Sequence, residues 1–377
     1  YSVTSVDPDD GSESIASDAA SISSAVNIAA TAGTITLTWT PASGVTQQKV
    51  YKALPGFSAL PPAGSQFGFV GNAFGAQFQD SNITADFSIV PPLHKDPFAR
   101  GQITGATPVT AGTGYTTATV TINTSTGTGA VLEAIIVGGG VVAFILKTAG
   151  KNYVSTDTIT ITGDGAGATA TLSVGPATGT YPGTVAYFQE RRIYAYSLNL
   201  PDTFWMSQPG AFLNFDSRIP TIDSDAITGS PWSVQVDGIQ FMMSMPGGLV
   251  VLTGHEAWQL TGTGGSSLNP QPITPSTQQA QPQAFNGCHS HIPPIKIDYD
   301  IFYIQAKGAI VRSLSYQLYA NIYTGTDMTV NSSHLFLAQF ASNGDVLKEW
   351  AWCEEPYKVF WMVRGDGALL SLTVMKP

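Results

Sequence analysis

Four times in the second half of the chain, two short apolar runs flank a tight turn. Thr184 to Phe188 and Ile193 to Tyr196 flank Gln189-Glu190-Arg191-Arg192. IQFMMS and LVVLT flank Pro246-Gly247-Gly248, DIFYIQ and AIVRSLS flank Ala306-Lys307-Gly308, and KVFWMV and ALLSLTV flank Arg364-Gly365-Asp366-Gly367. Each is a β-hairpin signature. With Arg191, Gly247, Lys307 and Gly365 as turn centres, the spacings are 56, 60 and 58 residues. A hairpin recurring at near-constant spacing marks a blade array, in which each unit buries its apolar faces only against its neighbours. The spacing exceeds the roughly 40–50 residues of common propeller blades, so each blade is expected to carry one long loop.

The fourth hairpin ends close to Pro377, without room for the outer half of a blade. A half-blade leaves an apolar face and a strand edge uncovered, which is an aggregation hazard. The expectation is that the sequence is part of a longer polypeptide, or that another segment or a partner subunit closes the edge.

The 377 residues have room for two to four domains, and with 43% of them apolar they can fill several cores. Charged residues make up only 11%, against ~25% in ordinary soluble domains. A surface of Thr, Ser, Gln and Gly fits exposed β architecture and large protein interfaces. The net charge is −10 and the 16 lysines and arginines are scattered, which argues against nucleic-acid binding by clustered cations. Two cysteines, Cys288 and Cys353, imply no disulfide scaffold. No apolar run reaches the ~18 residues of a membrane span. The first residues, YSVTSVDPDDGSES, have neither the basic start nor the apolar core of a signal peptide.

Upstream of the hairpins, three segments differ in character. Residues 1–30, rich in Ser, Ala and Asp, read as a linker or the end of a preceding module. Residues 31–98 read as a β-sandwich: TITLTWT alternates with Ile35, Leu37 and Trp39 on one face, a Pro41 to Gly44 turn follows, and Lys49 to Lys52 opens the next strand. This pattern resembles a fibronectin type III-like domain, with Trp39 and Tyr51 as core residues.

Residues 101–178 contain an internal duplication. Thr110 to Tyr115 followed by TATVTI aligns with Thr148 to Tyr153 followed by TDTITI, a shift of 38 residues, and Gly127 to Ala130 matches Gly165 to Ala168 at the same shift. Two copies of turn, strand, Gly-rich turn and strand predict a small duplicated β-barrel or roll. The pattern resembles Gly-Tyr-repeat β modules inserted into phage structural proteins. The Gly-rich runs lack a Gly-Lys-Ser/Thr ending and do not open a helix, so they read as structural and not as a phosphate cradle.

No catalytic, cofactor or metal site is expected. Cys288-His289-Ser290-His291 has no second ligand pair in sequence, so it reads as a polar loop. Glycosidase chemistry needs two carboxylates across a cleft, and Asp237, Glu256, Asp298, Asp300, Glu354 and Glu355 do not recur in blade register. Ser342-Asn343-Gly344-Asp345 reads as an ordinary hairpin turn. No Gly-x-Ser-x-Gly elbow is present. Trp205, Trp258, Trp350, Trp352 and Trp361 fall in strand runs and are expected in cores. The segment from Gly262 to Asn286, with four prolines and almost no charge, reads as a long loop that forms no core alone. Gly262, Asn269, Gln271, Gln278, Gln279, Gln283 and Asn286 are its candidate interface or channel residues.

The region 179–377 carries a further resemblance. Arg191 to Ala195, Asn199-Leu200-Pro201-Asp202-Thr203-Phe204-Trp205-Met206-Ser207, Phe212 to Phe215, Gly248 to Gly254 with Glu256-Ala257-Trp258, Ile310 to Tyr316, and Trp361 with Arg364 and Asp366 to Thr373 resemble, in order, the tail nozzle proteins of short-tailed bacteriophages, also called tail tubular protein B. The matching residues are packing and turn residues. The resemblance implies an all-β, propeller-type virion subunit in a ring, hexameric by resemblance, at the distal end of the tail. Such a ring docks to an adaptor below the portal, contacts tail fibres, and passes DNA without reading its sequence. It needs no cofactor and has no enzymatic activity. The other class consistent with the pattern is a carbohydrate-binding or carbohydrate-active β-propeller with accessory sandwich modules.

Overall fold

The computed structural model describes residues 1–22, 27–54, 65–233, 238–265, 269–317, 319 and 322–374. It is an all-β protein of several small antiparallel sheets. The chain divides into two compact units: Tyr1–Tyr181 with Trp205–Ile227, and Pro182–Phe204 with Thr228–Pro377.

The first unit begins with β1 (Ser2–Val6), β2 (Ile35–Thr38), β3 (Gln47–Lys52), β4 (Gly68–Ala73) and β5 (Gln77–Asp80), which form a β1-β3-β4 sheet and a β2-β5 ribbon. Residues 1–30, expected as a linker or the end of a preceding module, thus include a strand, with Ser2 opposite Tyr51 and Val6 opposite Gln47. Its inward side chains are Ser2, Thr4 and Val6. The two hydroxyls are satisfied locally: Ser2 Oγ donates to Ser17 O at 2.9 Å and Thr4 Oγ1 donates to Glu13 Oε1 at 2.7 Å. A strand with a polar inner face shows none of the apolar alternation by which sequence announces a strand. Tyr51 is fully buried as expected, whereas Trp39 lies just beyond β2 and is half-buried.

Glu13 is also the centre of a buried ionic cluster. Besides Thr4, its carboxylate accepts from Lys49 Nζ at 2.8 Å, from the Tyr51 hydroxyl, and from Arg218 Nη2 at 3.0 Å. Arg218 donates further to Asp225 and, at 3.0 Å, to Val90 O. A boundary near residue 179 is therefore not the end of this unit. Residues 205–227 belong to it, and Trp205 and Phe215 pack edge-on against Phe98 at 5.3 and 5.5 Å.

The duplicated module comprises β6 (Ile103–Thr113), β7 (Ala118–Asn123), β8 (Thr128–Val137), β9 (Gly140–Lys151), β10 (Thr158–Gly163) and β11 (Ala166–Val174). Its strands pair as β6-β11, β7-β10 and β8-β9. The two halves exchange strands: the first strand of the module pairs with its last. The repeat is visible in side-chain roles. Tyr115 and Tyr153 are both buried, and their hydroxyls accept from Ala168 N at 3.4 Å and Ala130 N at 3.1 Å. A Cβ on Gly165 would stand 2.5 Å from the Tyr115 ring, and one on Gly127 would stand 2.2 Å from the Tyr153 ring. Of the barrel or roll expected from the repeat, no closed barrel forms among the described residues. The pairings stop at three ribbons, two of them with register shifts. Bulges of this kind bend a ribbon locally and interrupt its ladder.

In the second unit all four hairpins form where the sequence places them. They are β12 (Thr184–Phe188) with β13 (Arg191–Ala195), β16 (Ile239–Met245) with β17 (Gly248–Thr253), β21 (Asp300–Ile304) with β22 (Val311–Gln317), and β25 (Val359–Arg364) with β26 (Leu369–Thr373). Their place within a sheet changes along the chain. With β14 (Phe204–Met206) and β15 (Ile227–Gly229), which span the divisions of the chain between the two units, and β18 (Ala257–Gly262) and β19 (Gln278–Ala284), the first two sheets run β12-β13-β14-β15 and β16-β17-β18-β19, so the hairpin comes first. The third runs β20-β21-β22-β23, with β20 (Ile295–Ile297) and β23 (Ile322–Asp327), and the hairpin is central. The last is β24-β25-β26, with β24 (Leu347–Cys353) added ahead of the hairpin. The half-blade expected at the C-terminal side is thus a three-stranded sheet.

Cores lie between successive sheets. Val250, Leu252 and Ala257 meet Ile301, Tyr303, Leu314 and Tyr323 between the second and third. Ile304 and Val311 meet Leu347 and Met362 between the third and fourth, and Phe302 meets Phe360 with ring centroids 5.0 Å apart. Alternate residues of β21 therefore face opposite neighbours and all five are buried. That explains why its sequence is a continuous apolar run rather than an alternating one.

Candidate functional site

Two features of the second unit bear on function: the segment joining β18 to β19, and a cluster ahead of β20.

The segment from Gly262 to Asn286 is more ordered than its composition predicts. Gln278 and Gln279 lie in β19, and Gly262 pairs with Gln278. The backbone between is clamped by one side chain: Gln189 Nε2 donates to Gln271 O at 3.2 Å while Gln189 Oε1 accepts from Ile273 N at 2.8 Å. Ile273 is buried. Gly262 is required by proximity, since a Cβ there would lie 2.2 Å from Pro272 O. Gln283 is buried and its Oε1 accepts from Tyr323 N at 2.7 Å, joining β19 to β23. The Asn286 carbonyl accepts from the Tyr303 hydroxyl at 3.4 Å. Asn269 and Gln279 are the exposed members of the set, Gln271, Gln278 and Asn286 are half-buried, and residues 266–268 lie outside the described residues. Gln283 thus serves as an internal hydrogen-bonding group, a use that composition alone does not reveal.

The second feature surrounds His289, at the junction between β19 and β20. Its ring is buried and Nε2 lies 3.0 Å from Asp345 Oδ1. The His291 backbone N donates to His289 Nδ1 at 3.3 Å, which leaves the imidazole proton on Nε2, pointing at the carboxylate. Asp345 sits at the end of the Ser342–Asp345 turn, with Asn343 and Gly344 at φ 52° and 88°. Positive φ at both central positions is the mark of a tight hairpin turn, as the sequence suggests. Lys348 Nζ approaches the other carboxylate oxygen of Asp345 at 3.5 Å. The hydrogen bond from His289 lowers the Asp345 pKa, against a smaller opposing effect of burial, and Lys348 adds to the lowering. One donor atom from each of His289, His291 and Asp345 lies within 4.8 Å of the others.

Sequence places His289 and His291 together but gives no sign of Asp345, which is 56 residues from His289. Cys288 does not extend the cluster as a thiolate: burial pushes its thiol up to about 12. The candidate carboxylates are dispersed. Asp300 is buried in β21, Asp298 occupies the β20-β21 turn at φ 54°, Glu354 and Glu355 are exposed, and Asp237 lies outside the described residues. Trp205 and Trp258 are buried, Trp350 and Trp352 half-buried, and Trp361 is 44% exposed on β25. Among the described residues, no helix is long and apolar enough to cross a membrane. No protein-family model and no curated protein matches the chain.

Proposed function

We propose that this chain is a structural subunit of the tail nozzle of a short-tailed bacteriophage, assembling as a ring around the channel through which DNA leaves the virion. The observation that carries the reading is the serial stacking of small antiparallel sheets through shared cores, ending in a sheet with an uncovered apolar face. On that face Trp361, Val363 and Leu369 are 44%, 37% and 63% exposed. Among the described residues β26 pairs only with β25. An apolar face beside an open strand edge is a surface that a further segment of chain or a neighbouring subunit covers, and in a ring the neighbouring subunit does so.

The scarcity of charge fits the same role. A lining without clustered cations does not hold DNA by phosphate neutralisation, and a weakly acidic wall repels it only within a Debye length of ~8–10 Å, so DNA slides. The adaptor and the tail fibres are the protein partners that the resemblance implies.

The test is light scattering and negative-stain imaging of the chain, alone and mixed with neighbouring virion proteins. Rings of about six copies with a central hole support the proposal. A chain that stays monomeric with every partner overturns it, and binding on a glycan array would then favour the carbohydrate-binding class.

A further inference from the structure

We propose that His289, His291 and Asp345 form a site for a borderline transition-metal ion, with Zn²⁺ as its natural occupant, which ties the segment before the third sheet to the turn before the fourth. The inference stands whether or not the chain assembles as a ring.

Two imidazoles and one carboxylate are a donor set that suits Zn²⁺ and its neighbours Co²⁺, Ni²⁺ and Cu²⁺, whereas Ca²⁺ and Mg²⁺ prefer oxygen donors throughout. Two of the three donors are already placed. His289 is buried, and its ring lies against Gly308, where a Cβ would stand 3.4 Å from His289 Cδ2. Asp345 is fixed by its turn, with Lys348 beside the carboxylate oxygen that does not face His289. The 3.0 Å between His289 Nε2 and Asp345 Oδ1 is close to the roughly 3.3 Å that separates two tetrahedral ligands about 2.0–2.1 Å from zinc.

His291 is the exposed donor and must move inward by about an ångström or more from its 4.8 Å limit. Metal at His289 Nε2 requires the imidazole proton to shift to Nδ1, now facing the His291 amide. Binding therefore requires a turn of the Ser290-His291 peptide, which removes that clash, and a change of the His291 side-chain rotamer, which brings its ring to the ion. Three protein donors leave a fourth position for water.

The test is a Co²⁺ titration of the full chain after chelator treatment, read by the visible absorption of four-coordinate Co²⁺, with Zn²⁺ as competitor. The expected result is saturation at one ion per chain and displacement by Zn²⁺ but not by Ca²⁺ or Mg²⁺. His291→Ala and Asp345→Asn should each weaken binding about tenfold or more. His291 is exposed, so His291→Ala should keep the metal-free melting temperature of the unaltered chain, which separates loss of a ligand from loss of fold. Absence of a saturable spectrum, or an unchanged titration in His291→Ala, overturns the proposal.

Discussion

Arg218 Nη2 donates to Glu13 Oε2 at 3.0 Å although 205 residues separate them in sequence. The guanidinium also reaches Asp225 and Val90 O, so one planar group closes three contacts in a buried place. This arrangement makes residues 205–227 part of the first unit. It depends on the fork geometry of arginine, which a single ammonium does not reproduce.

Replacing Arg218 by Ala should therefore destabilise the first unit by about 3–5 kcal/mol, because two buried carboxylates lose their shared cation. Arg218→Lys should recover little of that. Urea denaturation followed by Trp fluorescence measures both, and an Arg218→Ala chain as stable as the parent would show that Lys49 alone neutralises Glu13.

Acid should act through the same cluster. Burial raises the Glu13 pKa, but hydrogen bonds from Lys49, Tyr51 and Thr4 together with the charge of Lys49 outweigh it, and the net pKa is lowered below 4.5. A carboxylate depressed on folding contributes stability that is present above its unfolded pKa and lost as pH falls through the folded value. Melting temperature should thus fall as pH drops below about 4.5, and the fall should be shallower in Glu13→Gln.

The duplicated module allows a matched pair of substitutions. Gly127→Ala and Gly165→Ala each drive a methyl into the ring of the partner tyrosine, Tyr153 or Tyr115. Each should lower stability by about 1–3 kcal/mol through overpacking. Similar thermal shifts in the two variants would reflect the shared architecture of the halves. A large effect in one and none in the other would show that the halves differ in rigidity.

Gln283→Ala removes the acceptor of the Tyr323 amide inside the core between the second and third sheets. Loss of a buried hydrogen bond of this kind costs about 0.5–1.5 kcal/mol. Amide hydrogen exchange should report faster exchange at Tyr323, with little change at the distant β25.

The hairpins were legible in the sequence because tight turns between apolar runs are local signals, and each formed at its expected place. The duplication was legible for the same reason, through repeated Gly-Tyr spacing. What escaped is non-local or polar. Ser2–Val6 hides its strand character behind inward hydroxyls, and β24 could not be assigned to the last sheet from hairpin spacing alone. Asp345 joins His289 only through the stacking of successive sheets. The Gln-rich segment looked like an unstructured loop because the groups that hold it come from elsewhere in the fold: the Gln283 side chain accepts from Tyr323 N, and the Gln271 carbonyl accepts from the Gln189 side chain.

The pairing of β6 with β11 has a practical consequence. Gly101 N donates to Pro176 O at 2.9 Å and Gly175 N donates to Gln102 O at 2.7 Å, so the chain leaves the duplicated module beside the point where it came in. A segment whose two ends are already zipped together has the adjacent termini of a cassette, and it also holds the chain that flanks it, with His94 N donating to Lys147 O at 3.0 Å and Tyr153 N donating to Gly101 O at 2.9 Å, so an insertion within one of its turns disturbs less than its removal. The module is thus a handle for labelling the protein at a defined place in whatever assembly it joins.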